Sequence, residues 1–173
     1  MHVAVLEQGL IMPGLLINCG DSHTSTDGAF GLGATEVPHV LAAQTIWPKK
    51  PIALRIHVNG ARGHAVKYTG STICALSMEG RMTLSNLSTH SGARFGTIAP
   101  DQKTCAYCEE RPFAPQGHAG PKAVKVWSEL HRDIHASFDA GQFIDAHDLA
   151  PSLTWGTSPE QEVPISGSVP DPA

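Results

Sequence analysis

Cys19-Gly20-Asp21-Ser22-His23-Thr24-Ser25-Thr26 follows, after Asn18, on Leu15-Leu16-Ile17, an apolar run that reads as a buried strand. An acid, an imidazole and several hydroxyls gathered where a strand ends are how an α/β protein presents polar groups to a small anionic ligand. Successive side chains of a strand point to opposite faces, so aiming Asp21, Ser22 and His23 at one ligand requires a bend. Gly20 permits that bend. The plainer alternative is an Asp-Ser-Thr turn that caps the next helix.

Working outward, 173 residues with 41% apolar content suffice for one domain with a real core. A net charge of -4 gives no electrostatic footprint for nucleic acid or an anionic membrane. No apolar stretch reaches membrane-spanning length, and Met1-His2-Val3-Ala4-Val5 lacks the basic flank of a signal peptide. A soluble, cytoplasmic protein is expected. Four irregularly spaced cysteines form no disulfide framework, which leaves reduced thiols or metal ligation. The chain opens inside what reads as a strand, with no cap or leader before His2, as expected of a start cut into a larger protein.

Val3 to Leu6 and Leu15 to Cys19 are expected as central strands around a turn at Met12-Pro13-Gly14. Gly28, Gly31 and Gly33 lead into Ala34 to Ile46, whose apolar positions have helical spacing. Pro48 and Pro51 end that helix, and Ile52 to Val58 alternates as a strand. A helix is expected from Ser71 to Met82 or further, a strand at Gly96 to Ala99, and an amphipathic helix at Ala119 to Arg132. Leu149 to Trp155 reads as a last strand or extended segment. From Gly156 the composition turns to Pro, Ser, Gly and acid, so residues 156–173 are expected as a linker or disordered tail after a domain at 1–155. Alternating strands and helices favour a layered α/β fold.

Several segments, in order, resemble the large subunit of 3-isopropylmalate dehydratase, the leucine-pathway member of the aconitase family. They include Glu7-Gln8-Gly9, Cys19 to Thr26, Gly33 to Thr45, Leu76-Ser77-Met78-Glu79-Gly80-Arg81-Met82-Thr83-Leu84, Gly92-Ala93-Arg94 and Thr154-Trp155-Gly156-Thr157. The resemblance implies a partial three-layer α/β/α aconitase-like domain. It also implies a hydro-lyase that isomerises isopropylmalate by dehydration and rehydration, using a [4Fe-4S] cluster whose open iron binds the substrate hydroxyl. Asp21 and His23 would then be catalytic, with His2 as the partner of Asp21, while Ser22 and Asn86 would bind substrate. The implied partners are a hydroxy-diacid substrate and a small subunit that closes the site.

The resemblance has three departures. The family motifs carrying the three cluster cysteines do not occur before this chain ends, so its cluster ligands are absent. His90 stands where the family has a glutamate that partners the His23 position. The chain is also shortened between Phe30 and Gly33 and between Gly60 and His64. Activity of the isolated chain is therefore not expected, and isopropylmalate is not distinguished from homoaconitate or citraconate-type substrates.

Cys105-Ala106-Tyr107-Cys108, with His118 as a conceivable third ligand, has spacing that suits zinc or redox chemistry, against the simpler reading of adventitious thiols. His131 and His135 could share a helix face with Asp133 and Asp139 nearby, but a solvated face explains them as well. Glu79 with Arg81 is either a functional carboxylate or a structural ion pair, with the structural reading favoured, and Trp47, Trp127 and Trp155 read as core or interface anchors. The leading function is therefore a dehydratase-like fragment. Its rivals are a non-catalytic binding or assembly module on the same scaffold and a small zinc-binding protein.

Overall fold

The computed structural model describes residues 2–19, 21–31, 33–35, 52–55, 64–109, 111–130, 135–154 and 161–168. They form a mixed helix and strand structure with small sheets, in two compact units, Met1–Gln142 and Phe143–Ala173.

The first unit opens on helix α1 (His2–Glu7), which corrects the strand expected for Val3 to Leu6. A short apolar run carries too few residues for its periodicity to decide, and the buried residues His2 and Leu6 lie four apart, on one helical face. Strand β1 (Leu16–Asn18) pairs in parallel with β2 (Gly33–Thr35), Leu16 opposite Gly33. Among the described residues these two form a sheet of their own, and Leu15 and Leu16 are exposed, which corrects the central position expected for β1. Ala34 and Thr35 belong to β2 and not to a helix; the rest of the expected helix, from 36 to 46, lies outside the described residues.

Between β1 and β2 runs a 3-10 helix, Ser22–Phe30, much longer than the usual single turn. Its residues from Thr24 to Phe30 are buried. Asp21 caps its start, and Gly31 ends it in the left-handed region at φ 75°, donating its N–H to the Gly28 carbonyl.

A four-stranded parallel sheet has the order β5-β4-β3-β6, from β3 (Ile52–Arg55), β4 (His64–Tyr68), β5 (Phe95–Ile98) and β6 (Ala140–Gly141). Residues 56–58 of the third expected strand lie outside the described residues. Where one helix was expected from Ser71, the chain forms two, α2 (Ser71–Ala75) and α3 (Met78–Leu87). Ser77 is the reason: its backbone is extended, and its hydroxyl accepts the Gly80 N–H at 3.2 Å as the cap of α3. Helices α4 (Gln102–Glu109) and α5 (Ala119–Glu129) are the remaining helices among the described residues of the unit.

The core gathers Leu6, Phe30, Met78, Met82, Cys108 and Trp127, with Phe30 edge-on to Tyr107 at 5.8 Å. Each large side chain buried there contributes roughly 1.5–3 kcal/mol. Arg81, fully buried, donates to both carboxylate oxygens of Asp101 at 2.9 and 2.5 Å, to Thr104 and to the Cys74 carbonyl. It therefore ties α3 to α2 and to the start of α4, and its ion partner is Asp101, not Glu79.

The 3-10 helix is docked on α3 and β5 by hydrogen bonds and close backbone contact. Ser25 donates to the Ser85 carbonyl at 2.6 Å and accepts the Gly96 N–H at 3.3 Å. A Cβ on Gly28 would lie 1.7 Å from the Gly96 carbonyl oxygen, so only glycine fits.

In the second unit, a short 3-10 turn (Ala146–Asp148) precedes an antiparallel pair, β7 (Ser152–Thr154) and β8 (Glu162–Pro164). Part of the stretch read from composition as a linker is thus paired. Among the described residues, no helix is long and apolar enough to cross a membrane.

Candidate functional site

A cleft of about 480 Å³ opens where α1, the start of the 3-10 helix and α3 meet. His2, Asp21, His23 and Asn86 all line it, so four of the residues singled out in the sequence are brought together. Val3, Thr26, Glu79, Met82 and Thr83 complete the lining. Ser22 begins the 3-10 helix, but its side chain lies outside the described ones.

Asp21 is the hub. Its Oδ1 accepts the backbone N–H of His23 at 3.0 Å and faces the Nδ1 of the same ring at 2.9 Å. Its Oδ2 stands 3.3 Å from Nε2 of His2. The first bond follows from local sequence, because an Asp that caps a helix presents its carboxylate to the N–H two residues on. The His2 contact is tertiary, since α1 carries that nearly buried ring into the cleft wall. Asn86 is anchored from behind by Thr26, whose hydroxyl donates to its Oδ1 at 3.1 Å.

Two carboxylates flank His2 in opposite environments. The backbone N–H and then the ring of His23 hold Asp21 down, to about 2. Asp27, fully buried, has its Oδ2 3.7 Å from Nδ1 of His2, and burial pushes its carboxyl up to about 6 even though His2 pulls the other way. Glu79, in the first turn of α3, is held below the ordinary range by backbone N–H donation and by the Ser77 hydroxyl.

Sequence reasoning did not place Asp27, Glu79, Met82 or Thr83 in the site. A signal existed for three of them: positions 79, 82, 83 and 86 make one stripe of a helix, so Asn86 on α3 implied its neighbours. Glu79, expected to be structural, is exposed and lines the cleft. His90, at the family's glutamate position, is exposed in the turn after α3 and outside the cleft lining, and the His23 ring is bonded to Asp21 instead. His131 lies outside the described residues, as do Trp47 and Trp155, whereas Trp127 is buried in the core.

The described thiols do not fit an iron–sulfur cluster. Cys105 and Cys108 lie in α4 within the apolar core, where burial raises both thiols, Cys108 to about 12. Ligation requires thiolates, which such an environment disfavours. Cys19 follows β1 and Cys74 is exposed in α2. Among the described residues, no three His, Cys, Asp or Glu side chains gather as a metal site, and this includes Cys105, Cys108 and His118.

The model of the aconitase family (aconitate hydratase) matches residues 1–62 and 52–173, which together span the chain. The chain belongs to the aconitase family.

Proposed function

We propose that this chain forms the substrate-facing part of a hydro-lyase of the 3-isopropylmalate dehydratase class, serving leucine biosynthesis in the cytoplasm. The observation that carries the reading is the line of polar contacts from His2 through Asp21 to His23 in one cleft, with Asn86 in the same lining. Membership of the aconitase family supports the reaction type. The parallel β5-β4-β3-β6 sheet and its helices would be part of the three-layer α/β/α domain of such an enzyme.

In this reading a hydroxy-diacid such as isopropylmalate lies in the cleft. Asp21 accepts the Nδ1 proton of His23, which leaves Nε2 as the acceptor that takes up a substrate proton and returns it. Asn86, with its oxygen occupied by Thr26, keeps its amide N–H groups for a substrate carboxylate. Ser22 supplies a hydroxyl to a second carboxylate. In the family a [4Fe-4S] cluster supplies Lewis-acid chemistry at the substrate hydroxyl. The roles of this chain's own residues are binding and proton handling. Asp21 and His23 are exposed, so a small subunit closing over them would strip water from the site and strengthen these contacts.

The test is a titration of the labelled protein with 2-isopropylmalate, followed by NMR. The signals of His2, His23 and Asn86 are expected to move together at millimolar ligand, and to stay still in Asp21→Asn. Ligand-independent spectra of the native chain overturn the reading. A second reading, a non-catalytic binding or assembly module, is favoured by the burial of Cys105 and Cys108, which suits packing more than ligation. Binding without interconversion, after reconstitution with iron and sulfide and with the small subunit present, selects it. The zinc-protein reading loses support from the same burial.

A further inference from the structure

Asp27 is the one carboxylate of the described chain that is wholly inaccessible and has neither oxygen hydrogen-bonded among the described residues. A buried acid in that condition costs stability, and such a group points to a use. Its nearest polar neighbour is the ring of His2, itself nearly buried: Nδ1 lies 3.7 Å from Asp27 Oδ2, and Nε2 lies 3.3 Å from Asp21 Oδ2. One imidazole is therefore held between an interior carboxyl and one at the cleft.

We propose that Asp27 is a positioning residue that sets the tautomer of His2 and so decides whether the buried ring nitrogen beside Asp21 carries a proton. A neutral imidazole has a single N–H and can serve only one of two ionised carboxylates. When Asp27 is ionised, it has no other donor among the described residues, and the ring proton goes to Nδ1 to satisfy the buried charge. Nε2, itself inaccessible, is then a bare acceptor beside Asp21 Oδ2. When Asp27 is protonated, its O–H donates to Nδ1, and the ring proton sits on Nε2, donated to the ionised Asp21. In going from one form to the other, Asp27 gains one proton from solvent and the ring keeps one, moved from Nδ1 to Nε2.

The other charged groups around the pair do not duplicate this role. Asp21 and Glu79 both have lowered carboxyls and stay ionised where Asp27 titrates, near 6. On α3, Arg81 is turned to Asp101, and on α1, Glu7 is exposed. His23 reaches the pair only through Asp21. Strands β2 and β5, which also pack on the 3-10 helix, carry no titratable residue.

The inference deepens the proposed reading of the cleft and rests on it for its meaning in catalysis. Its test reads the ring directly, so it can fail while substrate binding stands, and the reverse. Histidine is labelled with nitrogen-15, and the protonated ring nitrogen of His2 is identified by long-range proton–nitrogen correlation at pH 8. The native chain is expected to show Nδ1–H. Asp27→Asn, whose amide donates to Nδ1 as the protonated acid does, is expected to show Nε2–H at the same pH. The same tautomer in both proteins overturns the proposal. Should the variant fold poorly, the reciprocal measurement decides: in His2→Phe the Asp27 carboxyl, followed by its carbon-13 shift, is expected to titrate at least one pH unit above its native midpoint. An unmoved midpoint overturns it.

Discussion

Asp21-Ser22-His23 and Asp145-Ala146-His147 are the same local device in two places. Each aspartate caps a 3-10 helix, accepts the backbone N–H of the histidine two residues on, and meets its ring Nδ1, at 2.9 Å in the first and 2.7 Å in the second. Both carboxyls are held low by those two bonds. The surroundings differ. The first helix continues through nine residues into the core, and its capping aspartate also faces His2 across a cleft. The second stops after three residues, with His147 almost wholly in solvent. An Asp-x-His at a helix start therefore makes an acid–imidazole pair from local geometry alone. A site needs a third group and a cavity, which packing alone provides.

The most damaging way to break this difference is Gly28→Ala. Its Cβ would press on the Gly96 backbone, which has no flexible end to give way, so the 3-10 helix must lift from β5. A loss of about 3 kcal/mol or more is expected in urea unfolding, with no counterpart near His147. A loss below roughly 1 kcal/mol would show that the segment seats itself another way.

Asp27→Asn acts in the opposite direction. The folded-state value near 6 lies above the ordinary 3.8, so the folded chain binds this proton more tightly than the unfolded one between those values. The carboxyl therefore costs stability above about pH 6, and that cost fades as the pH falls toward 4. At pH 7 the variant is expected to be more stable by up to about 3 kcal/mol. It should also lose the stabilisation that the native chain gains on acidification through that window. Melting curves at several pH values check both, and parallel curves for the two proteins would refute the burial argument.

A smaller change sharpens the comparison at the cleft wall. Thr26→Val removes the hydroxyl that fixes Asn86, at an expected cost of about 1 kcal/mol, with displaced side-chain amide signals of Asn86. Unchanged amide signals would mean that α3 alone orients Asn86.

The smallest effect on stability, and the most direct contrast, comes from Asp21→Asn beside Asp145→Asn. Each native carboxyl is lowered, so its contribution is present above about pH 4 and lost as the pH falls through the folded value, about 2 for Asp21. Both carboxylates are exposed, and neutral-pH melting should barely change. The ring signals separate them: Asp21→Asn should move His2 and His23, whereas Asp145→Asn should move His147 alone. Movement of His23 without His2 would remove the tertiary link.

Much of the site was legible because its chemistry is dense in sequence. Asp21 and His23 are adjacent to the strand they follow, and Asn86 lies in the Ser-Met-Glu-Gly-Arg helix that carries the family resemblance. His2 was legible only through that resemblance. Errors fell where short-range patterns do not decide. The apolar run after His2 suits a strand or a helix equally, and docking of Leu6 into the core selects the helix. Ser77 looked like one more helical residue, yet its hydroxyl ends one helix and caps the next. The Cys-x-x-Cys spacing left ligation open beside the simpler reading of plain thiols, and α4 turns both thiols inward.

The sequence by itself determined the family, the capping aspartate, the bond from Asp21 to its own histidine and the helix that bears Asn86, because each depends on residues close along the chain. Tertiary structure alone decided that His2 lies between two carboxylates, that Glu79 faces the cleft, and that Asp27 is buried while Asp21, six positions earlier, is exposed. Burial raises the Asp27 carboxyl and long-range approach brings His2 to it, and neither is encoded in its immediate neighbours.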